Sequence, residues 1–216
     1  MVALCGSNER HGYDWELTRL MRSSIAANVQ TSPTREWGYD CQIRVVFSRR
    51  EQVGRVLWWI GGFLLFKCSL RPMYAWRRWV LRLFGAKVGE RASIQRSVRI
   101  DLPWNLEIGP YSTLGENTWI HSLGKIRIGD HVTVSQRVFL CTGTHDYTRP
   151  EFDILRKPIS IQRGVWVAAD AFIGPGVTIG EDAVIGVRSV VLKDMPKGMV
   201  CVGHPCVPLK PRVPAA

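Results

Sequence analysis

His145, in the run Thr142-Gly-Thr-His-Asp146, is the side chain of this sequence best suited to moving protons at neutral pH. An imidazole titrates near neutrality, so it can take a proton from a hydroxyl and release it again within one reaction cycle. Of the five histidines, His11 falls in a polar N-terminal stretch and His131 at an ordinary corner of a repeat. His121 is the second candidate, because it stands one repeat below Cys141 and stacking brings it toward the point where His145 emerges. Asp146 either orients the neighbouring imidazole or turns the chain, and turning is favoured because adjacent residues seldom point the same way. The six cysteines show no CxxC pair and no dense framework, which favours a reducing, cytoplasmic setting.

The frame that must hold these groups has a period of six. From Ile161 to Val191 an aliphatic residue recurs at every sixth position: Ile161, Val167, Ile173, Ile179, Ile185 and Val191. Four residues after each stands Val165, Ala171, Val177, Ala183, Ser189 or Met195. Helices repeat at 3.6 residues and ordinary strands at 2, so a period of six calls for short strands joined by regular bends, three to a triangular coil. The fold class is therefore an all-β solenoid, a parallel β-helix. The same frame runs upstream through Val88, Ile94, Ile100, Ile108, Leu114, Ile120, Ile128, Val134 and Leu140. Glycine is frequent at the second position (Gly89, Gly109, Gly115, Gly129, Gly174, Gly180, Gly186), where a side chain would crowd the next coil or φ is unusual. A long insertion separates Leu140 from Ile161 and ejects a structureless loop over about 143–160; such excursions from regular folds are commonly functional.

Net charge is +11 and apolar residues make up 46% of the chain, enough for one core with appendages. The basic excess is concentrated between Arg44 and Arg99, where only Glu51 and Glu90 oppose it. Nucleic acid is not the expected partner, since no zinc spacing, no RNP-like aromatic motif and no recognition helix is visible. Anionic lipid headgroups explain the pattern better, because the cations interleave with Trp58, Trp59, Phe63, Phe66, Trp76 and Trp79. The apolar heart of Val53–Leu70, from Val56 to Phe66, is about half the length a bilayer span needs. This helix is expected to lie in a membrane interface, to cap the end of the solenoid, or both. A second short helix, Met73–Phe84, carries an apolar stripe of Trp76, Val80, Leu83 and Phe84 with Arg77, Arg78 and Arg82 outside it. The chain thus divides into a poorly ordered extension (1–43), a basic, aromatic helical segment (44–86), the β-helix (87–196) and a tail (197–216) folded back along the outside. Residues 1–43 lack an apolar h-region, so no signal peptide is expected and the protein is placed in the cytoplasm, peripheral to the inner face of the membrane at most.

The ordered string Ile128-Gly-Asp, Thr142-Gly-Thr-His-Asp146, Lys157-Pro-Ile, Val165-Trp-Val-Ala168, Phe172-Ile-Gly-Pro-Gly-Val-Thr-Ile-Gly180, Ile185-Gly, Lys193-Asp-Met-Pro and Gly203-His-Pro205 resembles the hexapeptide-repeat acyltransferases. Within them it is similar to the colanic-acid-type exopolysaccharide acetyltransferases, from about residue 53 to 212. The resemblance implies a left-handed coil, where most parallel crossovers are right-handed, and acetyl-CoA-dependent O-acetylation of a sugar hydroxyl without a covalent intermediate. It makes His145 the general base and places His121, Asp146 and Trp166 on the acceptor side; Trp166 as a corner-packing aromatic is the alternative. It further implies a homotrimer with coenzyme A in a groove between subunits. Backbone groups of Ala168, Ala169 and Gly186 would then face the pantetheine arm, and Lys193 with Lys210 or Arg212 would meet the phosphates. Two other readings remain: a non-catalytic interaction scaffold, and a γ-carbonic-anhydrase-like metal enzyme. The second is disfavoured and no metal is expected, since the histidine pair it needs is missing: the fifth residue after His145 is Pro150.

Overall fold

The computed structural model describes residues 47–213; the extension expected over 1–43 lies outside them. Helix α1 (Arg49–Gly61) begins at a reciprocal cap: the Ser48 hydroxyl accepts from the Glu51 N–H at 3.2 Å, and the Glu51 carboxylate accepts from the Ser48 N–H at 2.9 Å. It runs on as a π turn, Gly62–Lys67. What it turns inward is chiefly glycine. A Cβ on Gly54 would press on the Trp104 ring, one on Gly61 on Phe84, and one on Gly62 on Trp58. Trp58 fills the space so provided and donates its indole N–H to the Ile100 carbonyl at 2.7 Å, fixing α1 to the first coil. No described helix is long and apolar enough to cross a membrane.

Helix α2 (Tyr74–Leu83) departs from the stripe read in the sequence. Arg77 is fully buried (0% exposed) and Leu83 is 60% exposed. The inward face is Arg77, Val80 and Leu81. Burying a guanidinium is tolerated where its donors are matched: Nε reaches Ile94 O at 2.6 Å, Nη1 reaches Ser69 Oγ at 3.0 Å and Leu70 O at 2.8 Å, and Nη2 reaches Arg71 O at 2.8 Å. One side chain thereby joins α2 and the connection that precedes it, Ser69 to Arg71, to the solenoid at Ile94.

Three-strand coils follow. The first holds β1 (Lys87–Val88), β2 (Ser93–Ile94) and β3 (Arg99–Ile100); the second β4 (Leu106–Ile108), β5 (Thr113–Leu114) and β6 (Trp119–His121); the third β7 (Ile126–Ile128), β8 (Thr133–Val134) and β9 (Phe139–Cys141). After an ejected hairpin, β10 (Gly143–His145) and β11 (Ile154–Arg156), the fourth coil holds β12 (Ile159–Ile161), β13 (Trp166–Val167) and β14 (Phe172–Ile173). The fifth holds β15 (Thr178–Ile179), β16 (Val184–Ile185) and β17 (Val190–Val191), and the antiparallel pair β18 (Met199–Gly203) and β19 (Cys206–Pro211) ends the chain. Equivalent strands stack as parallel faces: β1-β4-β7-β12-β15 on the first, β2-β5-β8-β13-β16-β18 on the second, with β19 outside β18, and β3-β6-β9-β14-β17 on the third.

The six-residue aliphatics stack on one another in register, Ile108 on Ile128 on Ile161 on Ile179 along the first face, and fill the prism with almost no exposure. The second-position glycines are small because the coils stack closely there: a Cβ on Gly89 would collide with the Pro110 nitrogen and stand 2.7 Å from the Gly109 carbonyl carbon. Positive φ falls two positions later instead, at non-glycine residues such as Arg91, Tyr111, His131, Asp170 and Asp182. Ser112 and Thr118, buried at the fifth position, donate to the Gly129 and Ser135 carbonyls of the coil above, at 2.7 and 3.0 Å, so these hydroxyls cost little.

Candidate active site

The outer side of the third face carries two columns. In the first, the Arg99 guanidinium lies 3.9 Å from the Trp119 ring centre, Trp119 stacks on Phe139 at 4.5 Å, and Phe139 meets Phe172 edge-on at 5.4 Å. In the second stand Asp101, His121 and Cys141, brought together because β3, β6 and β9 stack in register. Asp101 Oδ2 accepts from His121 Nδ1 at 2.5 Å and from Trp119 Nε1 at 3.1 Å, and Oδ1 accepts from Arg99 Nε at 3.2 Å. Burial opposes ionisation of Asp101, but the hydrogen bonds from His121 and Trp119 and the charge of Arg99 outweigh it and hold the carboxyl below its ordinary value. A carboxylate can only accept, so the His121 proton sits on Nδ1 and Nε2 is left as an acceptor. Thr142 fixes the same backbone, its hydroxyl donating to His121 O at 2.7 Å and accepting from Gly124 N at 2.8 Å. Burial pushes the Cys141 thiol up, which keeps it protonated and unsuited to attack.

The excursion after Cys141 is a β-hairpin rather than a structureless loop. Gly143 pairs with Arg156, Thr144 with Leu155 and His145 with Ile154, and Ile159 and Ser160 already belong to the fourth coil. Arg156 Nη1 meets Glu51 Oε1 at 3.0 Å, so the hairpin is tied to the start of α1; the capping Ser48 N–H and the Arg156 charge hold the Glu51 carboxyl below its usual value. His145 is held from the hairpin tip by one residue. Its Nδ1 is 2.8 Å from the Phe152 carbonyl, and its ring stacks on the Phe152 ring at 4.4 Å and 13°. Phe152 adopts φ 52, an unfavourable conformation for a bulky residue, and this is what turns both groups toward the imidazole. Since a carbonyl only accepts, His145 carries its proton on Nδ1 and leaves Nε2 as an acceptor. A side chain on Gly143 would come within 3.2 Å of His121 Nε2. His145, two residues on and so on the same side of β10, lies about 7 Å farther along the strand. The two imidazoles thus share the corner between the third and first faces.

Asp146 turns the chain. Its Oδ1 accepts from the Thr148 N–H at 3.1 Å and hydroxyl at 2.5 Å, its Oδ2 faces Arg149 Nε at 3.6 Å, and its carboxylate does not bond His145. Trp166 stands on the second face, 47% exposed, with Nε1 on Ser135 Oγ at 3.0 Å, away from His145 within the chain. Ala168, Ala169 and Gly186 follow second-face strands and occupy the corner between the second and third faces, across the third face from His145 by at most about 20 Å. Lys193 shares the His145 corner two coils farther on, and Lys210 lies on β19, paired with Val200. Arg212 reaches the remaining corner, where Nη1 donates to Gly164 O at 2.9 Å and Asp182 O at 3.0 Å. One chain therefore unites His145 with His121 but not with the expected donor-side groups. Among the described residues no three His, Cys, Asp or Glu side chains converge as a metal site.

Sequence reasoning passed over Asp101 and Phe152. Asp101 had a signal, since it follows Ile100 as His121 follows Ile120, one coil away at the same repeat position. Phe152 had none, because its role depends on a backbone conformation. Between α1 and the third face runs a cleft of about 860 Å³ whose walls include Val56, Trp59 and Phe63 on one side and Asp101, Trp119 and His121 on the other.

No family model matches the chain. It is 44% identical over 157 residues, 73% of its own length and 86% of the relative's, to the provisionally named colanic acid biosynthesis acetyltransferase WcaF of Escherichia coli (strain K12). The crystal structure of a maltose O-acetyltransferase from Clostridium difficile 630 superposes with a TM-score of 0.69 at 30% identity, covering 76% of this chain and 89% of that one. A hexapeptide-repeat acetyltransferase of Vibrio cholerae O1 biovar eltor, solved with acetyl coenzyme A, superposes with a TM-score of 0.71 at 26% identity, covering 77% and 91%. With the coils, the ejected histidine and these likenesses together, the chain belongs to the hexapeptide-repeat acetyltransferases, acyl-transferring enzymes built on a left-handed parallel β-helix.

Proposed function

We propose that this chain transfers the acetyl group of acetyl-CoA directly to a sugar hydroxyl of an exopolysaccharide or related glycan, with His145 as general base. The observation that carries the reading is the His145 ring, whose Nδ1 proton is committed to the Phe152 carbonyl, leaving Nε2 to act. Nε2 takes the hydroxyl proton as the sugar oxygen bonds to the thioester carbonyl carbon. The C–S bond then breaks, and the proton passes to the departing thiolate, giving the O-acetyl ester and coenzyme A. Sugar acceptors are supported by the names of the colanic acid and maltose relatives, and acetyl-CoA by the Vibrio cholerae complex. His121, held by Asp101, is the acceptor-side partner, its Nε2 receiving a sugar hydroxyl's hydrogen bond.

The assembly we propose is a homotrimer with each site shared between two subunits, a reading supported by the division of groups between corners. A neighbouring subunit would bring Ala168, Ala169 and Gly186, and Trp166 beside them, to the His145 of this one, while Lys193 and Lys210 meet the phosphates. Arg212 is the alternative to Lys210 there, with only its Nη1 engaged by the coil backbone. Acetyl-CoA turnover by the purified chain against a panel of glycans tests the reading, alongside mass in solution. His145→Ala should lower kcat/KM by about 10²–10⁴-fold without changing the circular dichroism. A variant at the wild-type rate would remove His145 as base, and a wild-type chain that turns over acetyl-CoA with no glycan of the panel would favour a scaffold.

A further inference from the structure

Helix α1 and the π turn that continues it bury little of their apolar surface. Val53, Leu57, Ile60 and Leu64 are each about half exposed or more, at 60%, 56%, 48% and 59%. Their spacing of four, three and four residues puts them on one helical stripe, turned away from the coils that hold Trp58 and Phe66. The stripe is about 17 Å long from Val53 to Leu64. A soluble surface seldom leaves so continuous an apolar strip bare. Cations stand at both ends, with Arg49 and Arg50 before it and Lys67 and Arg71 after it, all exposed. The sole carboxylate between Phe47 and Phe84 is Glu51, and it is already engaged by Ser48 and Arg156.

Apolar side chains flanked by exposed cations, of which Arg71 alone pairs with a carboxylate, Glu116 at 3.3 Å, on a helix too short to span a bilayer, match the interface of a membrane rich in anionic lipid. We propose that this face docks the enzyme on an anionic bilayer, with α1 lying in the plane of the headgroups. Leu57, Ile60 and Leu64 enter the acyl boundary, and Arg49, Arg50 and Lys67 meet lipid phosphates. Another copy of the chain would not ask for this charge, because the facing surface would carry the same cations. The docked helix is also one wall of the cleft that contains His121 and Asp101, so docking sets that cleft beside the membrane surface. The proposal stands apart from the role of His145, and its test reads binding rather than turnover.

The full chain is mixed with vesicles of phosphatidylcholine alone or of phosphatidylcholine with an equal part of phosphatidylglycerol, and floated through a density gradient. Flotation with the anionic vesicles is expected to exceed that with neutral ones at least tenfold and to fall steeply with added salt. Leu57→Asp with Leu64→Asp, neither of which lines the cleft, should abolish flotation while circular dichroism and acetyl transfer to a soluble acceptor persist. Equal flotation with neutral vesicles, or no flotation of the wild type, would overturn the proposal. So would a wild-type chain whose mass in solution drops in the double variant, since the stripe would then be an interface between copies.

Discussion

Replacing Asp101 by Asn tests the acceptor side of the site at its least anticipated residue. Asp101 Oδ2 takes hydrogen bonds from both His121 Nδ1 and Trp119 Nε1, and Oδ1 takes one from Arg99. An amide has a single oxygen. If it faces His121 and Trp119, its NH2 group points at the Arg99 guanidinium; if it faces Arg99, the NH2 meets two other donors. Either way the charged acceptor that fixes the His121 proton on Nδ1 is lost. A hydrogen bond to a charged group contributes about 1.5–3 kcal/mol, and each 1.4 kcal/mol is about a factor of ten, so the range is roughly 10- to 150-fold. The side chains of His121 and Asp101 are 26% and 20% exposed, and water screening moves the expectation toward the tenfold end. The KM for the sugar acceptor should therefore rise about tenfold, with the KM for acetyl-CoA unchanged. Steady-state kinetics with each substrate varied in turn reads this out, and an unchanged acceptor KM, or an equal rise for acetyl-CoA, refutes the placement of His121 beside the acceptor. The same substitution has a pH signature. The Asp101 carboxyl is held below its unfolded value, so its contribution to stability is present above the ordinary carboxylate range and is lost as pH falls through the folded value. Acid unfolding followed by circular dichroism should show this loss in the wild type and not in Asp101→Asn.

Arg77→Met leaves the carbonyls of Ile94, Leu70 and Arg71 and the Ser69 hydroxyl without their donor; at about 1 kcal/mol or more for each, it should cost about 3–5 kcal/mol, visible as a loss in denaturant midpoint, and a change under 1 kcal/mol would show the guanidinium is not what joins α2 to the coils. Gly89→Ala forces a methyl against the backbone of the next coil and should cost about 1–3 kcal/mol, lowering Tm by about 2–4 °C per kcal/mol for a domain of this size; an unchanged Tm would mean the coils part freely.

The solenoid was legible because its signal is repeated. A hexad aliphatic such as Ile128 is read together with Ile108, Ile161 and Ile179, and stacking makes each coil repeat the same steric demand. The second-position glycines carry the same information, since every one of them faces the backbone of its neighbour. Arg77 was misplaced because one helix of ten residues offers no such redundancy. A hydropathy stripe assigns a guanidinium to solvent, whereas the carbonyls that bury it here come from Ile94, Leu70 and Arg71, in two separate parts of the chain. The excursion after Leu140 was visible as an interruption of period, but its hairpin was not, because Gly143–His145 and Ile154–Arg156 pair only with each other and lack the alternation that marks a strand packed on a core.

The site divides along the same line. His145 and His121 could be found from residue type and repeat position, and Asp101 lay within reach of the same arithmetic, one coil below His121. What repeat position cannot convey is protonation. Which nitrogen of each imidazole acts is decided by a partner outside the motif: the Phe152 carbonyl for His145 and the Asp101 carboxylate for His121. In both rings the acceptor on Nδ1 forces the proton there and leaves Nε2 bare. For His145 a neutral carbonyl does this without adding charge, as suits a base that must pick up and release a proton in each cycle. For His121 an ionised carboxylate does it, which leaves Nε2 free to accept a hydroxyl's hydrogen bond. The division of labour proposed for the two rings thus rests on what each histidine leans on rather than on the histidines themselves.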